Sequence, residues 1–163
     1  MNQIALEWQT TFLNAGFRLE RTEDQSWTLR WMGHPQTETM HNPRGAWSET
    51  CAIYGAALEF WQNRFPRLSP MIWSVGLGLG YNEFLCAQKL PGAAGLVSFE
   101  TSEPLRSFFL QAIVDPSTEE HFLDQAFPGA RQVLRNWWST GSLLLLEDFT
   151  VDWRKAPSPH LVL

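Results

Sequence analysis

Three glycines alternate with other residues directly after a short apolar segment. Gly76, Gly78 and Gly80 follow Met71–Val75 without a spacer, and a helix is expected to begin at Asn82. A strand that turns through glycines into a helix exposes backbone N–H groups and the positive end of the helix dipole, which favours an anionic group. The pattern predicts a cradle for a nucleotide-like cofactor; the alternative is a glycine-rich turn without a ligand.

The spacing of the glycines separates two classes of cofactor. A dinucleotide fingerprint has the form G-x-G-x-x-G, and here Tyr81 stands where its third glycine would be. That substitution argues against a nicotinamide-dependent oxidoreductase. The strictly alternating form is similar to that of class I S-adenosyl-L-methionine (SAM) methyltransferases, whose cofactor has a ribose and a carboxylate but no pyrophosphate.

An acidic residue ends the next predicted strand, Leu96–Glu100. Glu100 lies twenty positions after Gly80, which leaves room for one helix and a return loop. A carboxylate at the tip of this strand can accept hydrogen bonds from both hydroxyls of a ribose. The alternative is a solvated acid at a strand end. Glu103 is expected in the first turn of the following helix.

The rest of the chain alternates between predicted strands and helices. The predicted helices are Ala46–Arg64, Asn82–Leu90, Pro104–Ile113 and Ala130–Trp138, with a short one near Glu119–Gln125, and the strands are 71–75, 96–100, 143–146 and 159–163. This order predicts an α/β fold with a Rossmann-like parallel sheet, and the alternating residues of 15–32 predict a β-hairpin before it. We expect one domain, 1–163, that lacks the C-terminal part of the fold.

Composition narrows the classes of partner. Lys and Arg number 12 against 17 Asp and Glu, a net charge of −5. This argues against a module held to nucleic acid mainly by phosphate contacts, although an enzyme that docks RNA through a local patch stays possible.

Neither a metal site nor a membrane segment is expected. Cys51 and Cys86 fall in predicted helices and the four histidines are dispersed, so these residues do not have the spacing of metal ligands. The N-terminus does not resemble a signal peptide, and no apolar stretch is long enough to span a bilayer. We therefore expect a cytoplasmic, reducing environment.

Four segments resemble the MnmC-type tRNA (5-methylaminomethyl-2-thiouridylate) methyltransferase family. Gly45, Glu49 and Thr50 match an element that precedes a helix in that family, and the run Gly76–Leu85 is similar to its cofactor loop. The strand that ends in Glu100 matches the one that carries the ribose acid. The segment Leu144–Asp148 is similar to the end of the third strand, with Glu147 in place of a glycine.

The resemblance implies a SAM-dependent enzyme that methylates an amine on the wobble uridine of tRNA. The cofactor-binding residues that it implies are Glu49, Gly76, Gly78, Gly80, Asn82, Glu100 and Asp148. Among these, Asp148 would meet the adenine and Glu49 would fold over the cofactor to meet its amino group. No catalytic base is identified.

Several alternatives stay open at this stage. The chain could be a non-catalytic remnant of the fold that serves as a binding or interaction module. Glu49 could be a capping or solvated residue at the start of its helix, and Asp148 a plain strand-end acid. His41, close to Glu49 in the sequence, could stack or transfer a proton, or it could be a surface residue of a loop.

Overall fold

The computed structural model describes residues 3–33, 38–114, 126–148 and 160–162. The helices are α1 (Gln3–Asn14), α2 (Ala46–Thr50), α3 (Ala56–Arg64), α4 (Tyr81–Lys89), α5 (Glu103–Val114) and α6 (Ala130–Ser139), with a π-helical turn at Cys51–Gly55 between α2 and α3. The strands are β1 (Phe17–Arg21), β2 (Trp27–Trp31), β3 (Met71–Val75), β4 (Gly95–Phe99), β5 (Leu143–Leu146) and β6 (His160–Val162). The helix expected near Glu119–Gln125 lies outside the described residues.

The main sheet is parallel, with the strand order β5-β4-β3-β6. If these strands are counted along the chain from β3, the order is 3-2-1-4, which is that of a Rossmann-like half-sheet. A separate antiparallel hairpin, β1–β2, pairs Phe17 with Trp31 and Arg21 with Trp27. The predicted α/β fold, with its Rossmann-like parallel sheet and N-terminal hairpin, is confirmed.

The strand order creates a crevice at the end of β3. The chain moves outward from β3 to β4 and β5 and then returns to the other edge of β3 with β6. At such a switch point the loops at the carboxyl ends of neighbouring strands diverge, and ligands of open α/β sheets bind there. The glycine turn follows β3 directly, so it lies at this crevice.

Both faces of the central strands are covered. Ile72, Leu96 and Leu143 belong to the main core, together with apolar side chains of α4, α5 and α6. The opposite face holds a smaller cluster in which Trp73 stacks on Phe99 with ring centroids 5.8 Å apart. Burial on both sides explains why these strands read as continuous apolar runs rather than as alternating ones.

The helix predicted over Ala46–Arg64 is interrupted, and much of its apolar surface faces outward. The π turn at Cys51–Gly55 changes the angular position of the residues after it. Ile53, within the turn, and Phe60, after it, are 57% and 67% exposed, whereas Leu58 is fully buried. The predicted helix over Ala46–Arg64 assumed an unbroken period of 3.6 residues, which the π turn interrupts.

The first helix, α1, was not expected from the sequence. Its Phe12 is fully buried and lies edge-on to Phe108 of α5, with centroids 5.3 Å apart. None of the helices in the described residues combines the length and the apolar character needed to cross a bilayer.

Candidate cofactor site

The three glycines of the turn have different surroundings. All have positive φ, +84° at Gly76, +52° at Gly78 and +84° at Gly80. A Cβ atom would meet nothing within 4 Å at Gly76, and only the Met40 Sδ, at 3.7 Å, at Gly78. At Gly80 it would lie 2.5 Å from the ring of Phe109. The first two glycines therefore leave room for a ligand, whereas Gly80 is needed for the packing of α5.

A cavity of about 240 Å³ opens beside this turn. Its walls include Met40, His41, Gly76, Gly78, Asn82 and Glu100. Four of the seven residues that the sequence assigned to the cofactor are thus brought together at the end of β3. The other three, Glu49, Gly80 and Asp148, are not part of this wall.

Glu100 is tied to the glycine turn by hydrogen bonds. Its Oε2 accepts the backbone N–H of Gly78 at 3.3 Å, and its Oε1 accepts that of Ser102 at 2.8 Å. The main chain is also fixed, since the N–H of Glu100 donates to the carbonyl of Leu146 at 2.9 Å. An ionised carboxylate offers about four lone-pair sites, so Glu100 retains acceptor capacity for a further donor.

The wall opposite the turn comes from the loop after the hairpin. Met40 donates its N–H to the carbonyl of Leu29 at 2.8 Å, and His41 donates its N–H to Thr28 Oγ1 at 3.2 Å. The His41 ring is half-buried and lies edge-on to Tyr81, with centroids 5.4 Å apart. Burial lowers the pKa of His41, and the negative charge of Glu49 opposes that shift. The sequence did not assign these residues to a cofactor site, because only the tertiary fold brings their loop to the glycines.

Tyr81 fixes the hairpin to the start of α4. Its hydroxyl donates to the carbonyl of Trp27 at 3.0 Å and accepts the N–H of the same residue at 2.9 Å. The side chain is almost fully buried, and burial raises the pKa of Tyr81. The residue that replaces the third glycine of a dinucleotide motif is thus a structural tie between two parts of the cavity wall.

The turn of the hairpin caps α2 from outside that helix. Asp24 Oδ2 accepts the N–H of Ser48 at 3.0 Å and its hydroxyl at 2.7 Å, while Ser26 Oγ accepts the N–H of Ala46 at 3.0 Å. These side chains satisfy N–H groups that the first turn of a helix leaves unpaired. A Cβ atom at Gly45 would lie 2.1 Å from Asp24 Oδ2, so this approach requires a glycine.

Glu49 holds the loop that carries the cavity wall. Its Oε2 accepts the N–H of Asn42 at 2.8 Å, one residue after His41. This bond holds a loop residue that precedes α2 and does not cap the N–H groups of the helix itself. The Gly45–Glu49 element therefore has a structural function here, whether or not Glu49 also meets a cofactor.

Asp148 lies beyond β5, on the same edge of the sheet as Glu100. It is exposed and follows Leu146, the last residue of β5, by two positions. Its neighbour Glu147 lies 4.0 Å from the guanidinium of Arg106, which also donates to the carbonyl of Glu100. The described residues contain no group of three His, Cys, Asp or Glu side chains placed to hold a metal ion.

Comparison with known proteins gives one structural similarity. No family model and no curated protein matches this chain. The crystal structure of MnmC2 from Aquifex aeolicus is similar with 23% sequence identity and a TM-score of 0.45, over 70% of this chain and 45% of that one. Because this chain spans less than half of that protein's length, the activity of the whole protein is not transferred to it.

Proposed function

We propose that this chain binds SAM and transfers its methyl group to an amine, with the wobble uridine of tRNA as the acceptor. The observation that carries the proposal is the meeting of Gly76, Gly78, Asn82 and Glu100 around one cavity at the end of β3. The sequence resemblance to MnmC-type methyltransferases supports the choice of SAM and of a tRNA amine.

The residues present fit such a cofactor. The open Cβ positions of Gly76 and Gly78 allow a ligand to approach the backbone, and the amino end of α4 favours its carboxylate. Glu100 would accept the ribose hydroxyls with its remaining lone pairs. The cavity is below the roughly 300–1,000 Å³ of typical small-molecule pockets, so the adenine would extend along the sheet edge toward Asp148. Contacts of Glu49 and Asp148 with the cofactor belong to the proposal.

The protein's own task in this reaction would be alignment. SAM supplies a methyl group that its sulfonium already activates, so the chain contributes orientation of the acceptor and exclusion of water. The tied loop that carries Met40 and His41 would limit access from the hairpin side. A reducing, cytoplasmic location is part of the proposal, and both cysteines, Cys51 and Cys86, are free thiols.

Calorimetry with SAM and with NAD tests the cofactor assignment. Binding of SAM in preference to NAD supports it, while a preference for NAD would support an oxidoreductase. Binding of neither would favour a non-catalytic interaction module. For the acceptor, we expect transfer of methyl label from SAM to tRNA whose wobble uridine carries the free amine but lacks the methyl group. Label found elsewhere would overturn the assignment of the acceptor.

Glu100→Ala should weaken SAM binding. Loss of hydrogen bonds to a charged acceptor costs about 1.5–3 kcal/mol, roughly a tenfold to hundredfold rise in Kd by calorimetry. Glu103→Ala is the matched control, since Glu103 is an acid three positions later whose carboxylate accepts the Ser107 hydroxyl and lies outside the cavity wall. Equal affinity of the two variants would remove Glu100 from the site.

Gly78→Val should abolish SAM binding, because its side chain would enter the space beside the turn. The positive φ of Gly78 adds backbone strain to any substitution. Gly129→Val controls for that strain, because Gly129 also has a positive φ and open surroundings but starts α6 away from the cavity. Calorimetry on both variants, after their folding is checked by circular dichroism, separates the two effects; unchanged affinity of Gly78→Val contradicts the cradle.

A further inference from the structure

Glu83 is an acidic side chain with no exposure to solvent. It is the third residue of α4, directly after the glycine turn, and is 0% exposed. Its Oε1 accepts the hydroxyl of Ser98 on β4 at 2.7 Å. Its Oε2 is buried and has no hydrogen-bond partner among the described residues, and the same holds for the hydroxyl of Ser74 on β3.

The two serines lie side by side in the sheet. Ser74 and Ser98 are partners in the parallel register of β3 and β4, and both are fully buried. Because Ser98 bonds to Glu83 and its register partner Ser74 lies beside it on β3, the carboxyl lies against both strands. Two polar atoms without a partner in one buried layer would be costly, at about 1–3 kcal/mol each.

A proton on Oε2 resolves both unpaired atoms. A neutral carboxyl has one O–H donor, and a small rotation would let it donate to Ser74 while Oε1 continues to accept from Ser98. Burial is the largest influence and raises the pKa of Glu83; the nearby hydroxyls of Ser98 and Ser74 oppose that shift without reversing it, and the negative charge of Glu100 adds to it. An ionised carboxylate buried without a cation costs several kcal/mol, so the neutral form is the one that fits this position.

We propose that Glu83 is a neutral carboxylic acid that joins α4 to β3 and β4 and so positions the glycine turn for an anionic ligand. The turn and the amino end of α4 attract an anion because their N–H groups and dipole are positive. A charged carboxylate in the first turn of the same helix would itself occupy that positive end and would repel Glu100 and the ligand. The part that concerns SAM rests on the function proposed above.

The elements packed around Glu83 carry both acidic and basic side chains. Within the described residues these are Glu100 after β4, Glu49 on α2, Glu59 and Arg64 on α3, Glu103 and Arg106 on α5, and Arg131 and Arg135 on α6, with Lys89, the partner of Glu59, on α4 itself. The other titratable groups are Tyr81 and Cys86 on α4 and Cys51 and Tyr54 in the π turn. The negative charge of Glu100 raises the pKa of Glu83, and burial raises that of the Cys86 thiol. Both shifts favour the neutral forms of these two groups.

Glu83→Gln tests the neutral form directly. Glutamine keeps one acceptor for Ser98 and one donor for Ser74 but cannot ionise. Because the folded parent holds a proton that the unfolded chain releases above about pH 4.3, the parent's unfolding free energy should fall as pH rises from there. The Gln variant should lack this slope, measured by urea unfolding across pH, and Glu103→Gln should keep it. If the unfolding free energy of the Gln variant falls with pH as steeply as that of the parent, Glu83 is not a neutral acid.

The positioning role has its own readouts. Glu83→Leu, or Ser98→Ala if the first does not fold, should shift the amide NMR signals of Gly76 and Gly78 and raise the Kd for SAM about tenfold. Glu83→Gln should leave the amide signals of the two glycines and the Kd for SAM near the parent's values. Amide signals that are unchanged in every variant would overturn the positioning role. If the signals and pH slope behave as expected but the parent does not bind SAM, the function proposed above fails and this inference holds.

Discussion

At the scale of single residues, the same backbone conformation serves two different needs. Gly76 and Gly80 share a φ of +84°, yet one faces open space and the other lies against the ring of Phe109. A side chain at the first glycine would enter open space, and the absence of one at the second allows α4 and α5 to pack. The spacing of the glycines does not distinguish these two reasons for a glycine, because the residue type is the same in both cases.

This pair provides its own matched experiment. Gly76→Ala and Gly80→Ala introduce the same strain of about 1–2 kcal/mol at positive φ, and only the second also creates an overlap with Phe109. Overpacking typically costs about 1–3 kcal/mol. In urea denaturation, Gly80→Ala should therefore lower the unfolding free energy by about 1–3 kcal/mol more than Gly76→Ala does. Equal losses would show that α5 moves away without cost.

At the scale of elements, α2 depends on a strand turn that is distant in the sequence. α2 has no side-chain cap of its own at Gly45, and Asp24 and Ser26 of the hairpin supply it. The cap explains why Gly45 is a glycine although its φ of 169° is extended and open to any residue. A helix start signal was visible in the sequence, but the partner that completes it was not.

Asp24→Asn should weaken this cap most at neutral pH. Hydrogen bonds from Ser26 and Ser48 outweigh burial and hold the pKa of Asp24 below its ordinary value. The stability that Asp24 adds is therefore complete above the pKa of an unfolded aspartate, about 3.9, and is lost as pH falls through the folded value. Asparagine keeps only one acceptor oxygen, so the bonds from either Ser26 or Ser48 are lost, and we expect a loss of about 1 kcal/mol at pH 7 that shrinks in acid, measured by urea unfolding. Glu23→Gln, an exposed acid in the same turn, should show no such trend.

The elements also show what sequence patterns could and could not reveal. The hairpin and the parallel strands were predictable, because alternation in Phe17–Arg21 and continuous apolar runs in β3 and β4 reflect burial on one face or on two. The exposure of Phe60 was not, since the π turn breaks the period that the prediction assumed. Among the residues that line the cavity, local motifs had singled out Gly76, Gly78, Asn82 and Glu100, whereas Met40 and His41 reach it only through tertiary packing.

At the scale of the whole molecule, the side chain of Tyr81 connects the hairpin to α4, the helix that follows the glycine turn. The hydroxyl of Tyr81 pairs with both the N–H and the carbonyl of Trp27, 54 positions earlier. The hairpin in turn carries the loop with Met40 and His41. The shape of the cavity therefore depends on a contact between the start of α4 and a strand outside the main sheet.

Tyr81→Phe should loosen this connection. The change leaves two buried main-chain groups of Trp27 without their partner, at a cost of about 1–3 kcal/mol, and the N–H of Trp27 should exchange with solvent faster. Tyr54→Phe is the matched control, because the side chain of Tyr54 is partly exposed and packs at the edge of the core. Hydrogen exchange with unfolding measurements would check both, and equal behaviour of the two variants would contradict the role of Tyr81.

The short span of β3, α4 and β4 has a kinetic consequence. Met71 pairs with Gly95, only 24 positions away, but also with His160, which is 89 positions away. Closing a longer loop costs more chain entropy, and distant pairings form late. During refolding, amides in the pairing of β3 with β4 should therefore be protected from pulsed labelling before those of β3 with β6, and the glycine turn should form before the sheet acquires its final strand.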